Sequence, residues 1–594
     1  MEVKNMENVS ITKPNAEAKD IDELFSGKVF KVPDYQRLYS WEKENWEDFW
    51  NDIKEGLETK TIHYWGTITL RATNEIKYCG ETETYFNVYE VVDGQQRLTT
   101  IYLFILALSN AGKEALKKKY IKCGDVYRLE LGGPNKEFLK DLVDGNNPEP
   151  DIRSNKQLQE CLEYFKNQIK EFVKMGGNID ELSKYLQKIT FSLEFVVQDE
   201  MLAIKAFESL NDRGKPLTLL DKTKSYLMFI SARYLNNTLN NRIQEIFGRI
   251  FLNYDIIKEI GEKEEIDYIK SGRFKEDELL RFFYHYFSYY AIEKYRLYDL
   301  PNKSIAYNYD ITVEGVFDSF LKDSCNSLKN NNEVLEEFAL DFLENFDKFI
   351  SSFKRLIKKV SFDCKYRKLF SFLGLNTRVY PLIISLETEG ILDAELLNLI
   401  EVLDLRVYKI RGTDPRASLY KDVITKIKEN PNPERIKKGI REFIKQFMPD
   451  PEFQHYLSGS LYKNPGTKYI LWEYEKSLEP ETDECNVELF RKCQVEHVLP
   501  QKPTFAFPGY GFESEEEYVS YINKLGNLCL LEETLNKKCQ NKVPEQKREY
   551  YEQSQIPRTK NLAYKIGLSG FKKDDIEQTT KDIIEFCLKR WPIL

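Results

Sequence analysis

Histidine is scarce in this chain, with four among 594 residues, so a histidine placed beside reactive neighbours stands out. Paired cysteines are missing too. The ten cysteines include no C-x-x-C spacing, which fits a reducing, cytoplasmic compartment and argues against a zinc ribbon or a dithiol redox site. Cys485, Cys493, Cys529 and Cys539 do gather in the last quarter of the sequence. Their spacings are not those of a zinc knuckle, so reduced, partly buried thiols are expected. Long hydrophobic runs are absent: the longest near-continuous one, Tyr102 to Leu108, is far short of the ~18–20 residues of a membrane span. The opening MEVKNMENVS lacks the apolar stretch of a secretory signal. Positive charge is not in excess either. A net charge of −9 excludes indiscriminate coating of nucleic acid and leaves phosphate contact to local patches.

What is there suffices for several packed cores, with 42% hydrophobic and 13% aromatic residues. At ~100–200 residues per domain, three or four folding units are expected. The pattern reads as α+β, predominantly helical. Residues 1–230 mix strand and helix signals, residues 231–430 look almost wholly helical, and residues 431–594 look like a helical frame around a short hairpin. In the first part Tyr64 to Arg71 alternates, with Tyr64, Gly66, Ile68 and Leu70 on one face. Phe86 to Val92 reads as its partner strand, and a helix with one apolar stripe (Leu98, Ile101, Tyr102, Ile105, Leu108) starts after Asp93-Gly94. The stripe Leu279, Phe282, Phe283, Tyr286 and Phe287 reads as core. Asn430-Pro431-Asn432-Pro433 breaks helix and is the preferred last boundary.

Three segments of the first part carry chemistry beyond packing. In Val32-Pro33-Asp34-Tyr35-Gln36-Arg37, the proline forces an extended entry, and Tyr35, Gln36 and Arg37 suit a phosphate or a base. In Asp93-Gly94-Gln95-Gln96-Arg97, Gly94 permits close backbone approach and the helix start favours an anion. There Arg97 could clamp phosphate oxygens and Asp93 could hold magnesium or orient a water. In Phe207 to Thr218, Gly214 suits a helix C-terminus and Thr218 with Asp221 an N-terminal cap. Asn211, Asp212 and Arg213 are left over, a cluster that could close a nucleotide pocket.

The second constellation is Val495-Glu496-His497-Val498-Leu499-Pro500-Gln501, followed by Leu525-Gly526-Asn527-Leu528 and Asn536. Phosphodiester cleavage needs an activated water, charge neutralisation on the phosphate and help for the leaving oxygen. His497 is the natural general base, because imidazole titrates near neutrality. Glu496 can ligate a hard cation such as magnesium. Asn527 could orient His497 or bridge the hairpin, and Asn536, opening the next segment, could complete the metal site. Two basic patches are candidates for DNA: Lys354 to Lys368, and Lys537 to Lys560 with a local balance of +4. The second adjoins the hairpin, so Lys537, Lys538 and Lys542 are the expected backbone contacts. His63, His285 and His455 lack ligand-spaced partners and read as structural.

The three N-terminal motifs, Val32-Pro33-x-Tyr35-Gln36-Arg37-x-Tyr39-x-Trp41, Val91-Val92-Asp93-Gly94-Gln95-Gln96-Arg97 and Phe207-x-x-Leu210-Asn211-x-Arg213-Gly214, jointly resemble the GmrS-type domain of GmrSD restriction enzymes. The C-terminal motif resembles the GmrD-type His-Me finger (HNH) nuclease that accompanies it, with asparagine where many HNH sites end in histidine. The resemblance implies a ParB/sulfiredoxin-like N-terminal fold that binds and hydrolyses a nucleoside triphosphate, with phosphate contacts on Gln36, Arg37, Asp93, Gly94, Gln95, Gln96 and Arg97. It further implies a ββα-metal hairpin that uses Mg2+ or another divalent cation to cut DNA, modified phage DNA among its substrates, in antiphage defence. The site set is then His497 and Asn527 as catalytic, Glu496 and Asn536 as metal ligands, and Tyr35, Gln36, Arg37, Asp93 to Arg97, Asn211 and Arg213 as nucleotide contacts. No membrane partner is expected, and a homo-oligomer is compatible with the pattern. A non-cleaving, nucleotide-dependent DNA-binding switch is the rival reading, and an RNA-cutting toxin differs from the nuclease only in substrate.

Overall fold

The computed structural model describes residues 15–34, 36–189, 191–197, 218–298, 300, 308–478 and 485–593. The chain divides into two compact units, Met1–Glu259 with Leu321–Ile350, and Ile260–Phe320 with Ser351–Leu594.

The first unit is built on a six-stranded mixed sheet. Its strands are β1 (Asn15–Asp20), β2 (Lys28–Lys31), β3 (Tyr64–Cys79), β4 (Thr84–Asp93), β7 (Leu129–Glu130) and β8 (Phe191–Val197), in the order β1-β8-β3-β4-β2-β7. A small separate hairpin pairs β5 (Lys122–Cys123) with β6 (Val126–Tyr127). The expected β3–β4 pair is present and antiparallel. Strict alternation in β3 is not. Gly66 has φ +93° and the register with β8 shifts between Tyr64 and Thr67. The bulge turns Trp65 into the core with Ile68 and Leu70 and leaves Tyr64 exposed.

Helix α1 (Ile21–Phe25) is closed by a capping box at Asp20, and α2 (Lys43–Thr59) buries Trp46 and Trp50. Helix α3 (Gln95–Asn110) follows β4 directly. The single apolar stripe expected for it is too modest: every residue from Leu98 to Ser109 is buried. It packs against α4 (Arg153–Lys174) as well as the sheet, so it has no solvent face. Thr218 caps α5 (Leu219–Tyr234) by accepting the Asp221 amide, as its spacing suggested.

From residue 218 to 430 the described residues form helices and turns without a strand. In α6 (Glu278–Tyr295) the whole expected stripe is buried. Asn430-Pro431 interrupts the helices, Asn432 caps α7 (Pro433–Phe447), and this stretch lies inside the second unit. The hairpin strands β9 (Cys493–His497) and β10 (Leu528–Glu532) follow, joined by a connection that carries α8 (Glu515–Tyr521). Then come α9 (Glu533–Cys539), α10 (Pro544–Glu552), α11 (Pro557–Ser569) and α12 (Lys573–Arg590). Among the described residues no helix is long and apolar enough to cross a membrane.

Candidate active site

Strands β9 and β10 pair antiparallel with His497 opposite Leu528 and Glu496 opposite Cys529, and α9 begins at once after β10. This is a strand–strand–helix unit with His497 at the end of its first strand. Successive strand side chains point to opposite faces, so Glu496 and His497 diverge. His497 turns towards Tyr462, whose ring lies 4.1 Å away, and its Nε2 is 2.9 Å from Asn523 Oδ1. With a carbonyl oxygen facing Nε2, that nitrogen carries the proton and Nδ1 keeps the basic lone pair. His497 is 5% exposed, and burial pulls its pKa below the ordinary histidine value. The ring is therefore neutral at neutral pH.

Glu496 turns the other way and meets a fully buried ammonium. Lys547 Nζ, from α10, lies 2.7 Å from Glu496 Oε1, 2.5 Å from the His497 carbonyl oxygen and 3.4 Å from that of Val498. The Tyr551 hydroxyl donates to the same carboxylate oxygen at 3.4 Å. Burial still holds the Glu496 pKa above the usual carboxylate value, despite Lys547. Lys547 therefore leaves the basic patch to which its position in sequence assigned it. Tyr551, one helical turn on and bonded to the same carboxylate, was the local sign that this face of α10 is buried.

Asn527 is completely buried and spends its side chain on the main chain. Its Oδ1 accepts the Leu499 amide at 2.9 Å, and its Nδ2 donates to the carbonyls of Leu499 (3.2 Å) and Ile522 (2.8 Å). It bridges the two ends of the connection, the second of the two roles its sequence position suggested. Gly526 before it admits no side chain, since a Cβ would lie 2.0 Å from the Ile576 carbonyl of α12. Asn536 does not open its segment, because α9 starts at Glu533. Its Nδ2 donates to Gln494 at 3.3 Å, and Gln494 shares a face of β9 with Glu496.

Lys537 and Lys538 are exposed on α9, Lys537 beside Glu533 at 2.6 Å. Lys542 is tied to the Lys538 carbonyl and the Tyr550 hydroxyl, both at 2.9 Å. The earlier patch is largely consumed within the fold: Arg355 and Lys359 share Glu387, and Lys368 pairs with Glu473 at 3.0 Å. Cys493, Cys529 and Cys539 are free and buried as expected, but Cys485 is not a free thiol; it is bonded to Cys364. No group of three or more histidine, cysteine or acidic side chains could hold a metal among the described residues. Asn523 and Tyr462 escaped the sequence reading because only the tertiary fold brings them to His497.

In the first unit the structure brings the first two motifs together. Gln36 Nε2 donates to the carbonyls of Val91 and Val92, both at 2.9 Å. Gln96 receives the Ser40 amide at 2.9 Å and donates to Leu38 at 3.0 Å. Gly94 has φ +89° at the start of α3, and a Cβ there would stand 2.9 Å from the Thr67 carbonyl. Arg97 donates to Thr67 and lies against Gly66. Asp93 ends β4 opposite Thr69. Arg37 reaches Asp221 with two bonds, of 2.9 and 2.6 Å, and also donates to Thr218. A cleft lined by Gln36, Arg37, Gln95, Gln96 and Asn135 lies beside them, where the buried Gln95 Oε1 has no hydrogen-bond partner among the described residues. Tyr35, Asn211 and Arg213 lie outside the described residues.

Both ends of the chain match models of one class of protein, restriction endonucleases. The N-terminal domain of the GmrSD restriction endonuclease matches residues 21–228 and the C-terminal domain of GmrSD restriction endonucleases matches residues 447–586. The two matches together span more than half of the chain, which belongs to the GmrSD restriction endonuclease family. No curated protein matches it.

Proposed function

We propose that the β9–β10–α9 hairpin is an HNH-type site that cuts DNA in antiphage defence, with His497 as general base. The observation that carries this is the setting of His497: a neutral imidazole, oriented at Nε2 by Asn523 and packed on Tyr462, at the end of the first hairpin strand. Such a ring takes a proton from water through Nδ1 without first losing its own. Asn527 and Gly526 fix the connection that leaves His497, and on the adjoining helix the exposed Lys538, with Lys537 once it leaves Glu533, would meet backbone phosphates.

The residues fit a divalent cation. Glu496 takes its Lys547 and Tyr551 bonds on Oε1, leaving Oε2, and the Asn536 amide donates through Nδ2, leaving Oδ1. Two protein oxygens completed by water and phosphate are the habit of magnesium, and a ligating carboxylate is commonly hydrogen-bonded on its other oxygen. Such a cation would neutralise charge on the scissile phosphate. In the first unit a nucleoside triphosphate would place its phosphates on the free amides at the start of α3, beside Gln95. Arg37 would then be drawn from Asp221, and the cap of α5 would loosen. That is the proposed route by which nucleotide state governs cleavage in the cytoplasm.

The test is magnesium-dependent cleavage of modified and unmodified phage DNA, with and without nucleoside triphosphate, by wild type and His497→Ala. Loss of the general base is expected to slow cleavage ~10²–10⁴-fold with an unchanged melting profile. Undiminished cleavage by a folded His497→Ala chain would remove His497 from the mechanism.

A further inference from the structure

Arg281, Arg378 and Arg416 reach one cavity of the second unit from three places: α6, the turn Thr377–Val379 and the short helix Arg416–Ser418. The cavity holds about 390 Å³ and its inner lining includes His285, whose ring packs 4.1 Å from that of Tyr420. Phe282 and the half-exposed Tyr309 complete an aromatic wall. Neither matched domain, residues 21–228 or 447–586, contains any of these side chains, and neither proposed site uses them.

The guanidinium groups are incompletely satisfied. Arg378 donates from Nε to Asp414 at 3.2 Å, and its two terminal nitrogens bond nothing among the described residues. Among the described residues Arg281 has one partner, Glu278, through one nitrogen. Arg416 contacts Asp310 at 2.9 Å and shares Asp414 with Arg378 at 2.5 Å. Asp310 is 72% exposed, so water screens it. His285 reports the balance inside. Burial first, and then the three arginines, push its pKa down to about 3, with no carboxylate acting in the other direction. Asp310 and Glu314 also line the cavity, and Glu278 and Asp414 each hold a guanidinium, so an anion reaches only the donor nitrogens that these carboxylates leave on Arg378 and Arg281.

Arginine forks match phosphate oxygens two at a time, aromatic walls suit a flat base, and the volume falls within the range of small-ligand sites. We propose that this cavity binds a nucleoside phosphate of mononucleotide size, its phosphate on Arg378 and Arg281 and its base against the Tyr309 and Phe282 wall. The site belongs to the helical middle of the chain, and it stands whether or not the hairpin chemistry proposed above is right.

Equilibrium dialysis of labelled AMP against the full chain, without magnesium or DNA, tests it. Wild type, Arg378→Gln and the surface variant Tyr309→Ala are compared, with melting profiles as the control for folding. Arg378 lies outside the N-terminal cleft, so any binding there persists in Arg378→Gln and is subtracted. Saturable binding is expected in wild type, weakened about tenfold or more in Arg378→Gln, as for loss of a charged hydrogen bond. Inorganic phosphate should compete, and adenosine should compete only at far higher concentration than AMP. Equal binding by wild type, Arg378→Gln and Tyr309→Ala, or no saturable binding at millimolar AMP, would overturn the proposal. Displacement of AMP by a 5′-phosphorylated oligonucleotide at lower concentration than by free nucleotides would overturn the free-nucleotide assignment in favour of a DNA end.

Discussion

His497 owes its usefulness as a base to two neighbours that act in opposite directions. Burial lowers its pKa and the Asn523 contact raises it. The imidazole is active when neutral, so cleavage should climb with pH along an acid limb whose midpoint lies below the ordinary histidine value of 6.5. Removing Asn523 takes away the raising contribution and the tautomer control together. Asn523→Ala is therefore expected to shift the acid limb of the rate–pH profile to lower pH while lowering the plateau. A limb that stays in place would assign Asn523 a purely structural role. Lys547 makes a different kind of claim. It and Glu496 are both buried, so deleting one leaves a charge stranded. Lys547→Met should cost about 3–5 kcal/mol in a denaturant titration. Adding Glu496→Gln to that variant should restore much of the loss without restoring cleavage. If the single and double variants are equally unstable, the ion pair is not what the lysine provides.

At the scale of elements, Leu525-Gly526-Asn527-Leu528 is a joint, and each position has its own reason. Leu528 pairs with His497, Asn527 fastens the connection, and Gly526 lets α12 pass within touching distance. Gly526→Ala must push α12 away, at a cost of about 1–3 kcal/mol or more, visible as a lower melting temperature. A wild-type melting temperature would mean that α12 yields freely. The presence of the hairpin was legible in the sequence because glutamate, histidine and asparagine cluster at spacings that ordinary packing does not require. The duties within it were less legible. Asn527 proved to be a main-chain brace, and the residues that hold the imidazole, Tyr462 and Asn523, come from segments no local pattern connects. The first unit shows the same division. The β3–β4 pair and the glycine start of α3 follow from alternation and turn chemistry. The bulge at Gly66 and the all-round burial of α3 depend on neighbours far away in sequence.

At the scale of the whole molecule, a chain of net charge −9 that acts on DNA must concentrate its phosphate contacts. Much of the basic side-chain charge of the two patches is already committed: Lys547 inside, Arg355, Lys359 and Lys368 to carboxylates. Lys538 remains outside, and Lys537 is held only by the exposed Glu533. Replacing both with glutamine should flatten the dependence of DNA affinity on salt by about one unit of log–log slope per lysine. An unchanged slope would place the DNA on another face.

The position of Lys547 also orders events in time. The strand that ends in His497 leaves the ribosome well before the ammonium that neutralises Glu496, and before the Ile576 turn that seats Gly526. During that interval no ammonium faces Glu496 and no helix backs Gly526. Nuclease competence is therefore expected to arrive late in synthesis, and a stalled or prematurely ended chain that contains every motif residue through Asn536 is expected to be harmless to the DNA of the cell that makes it.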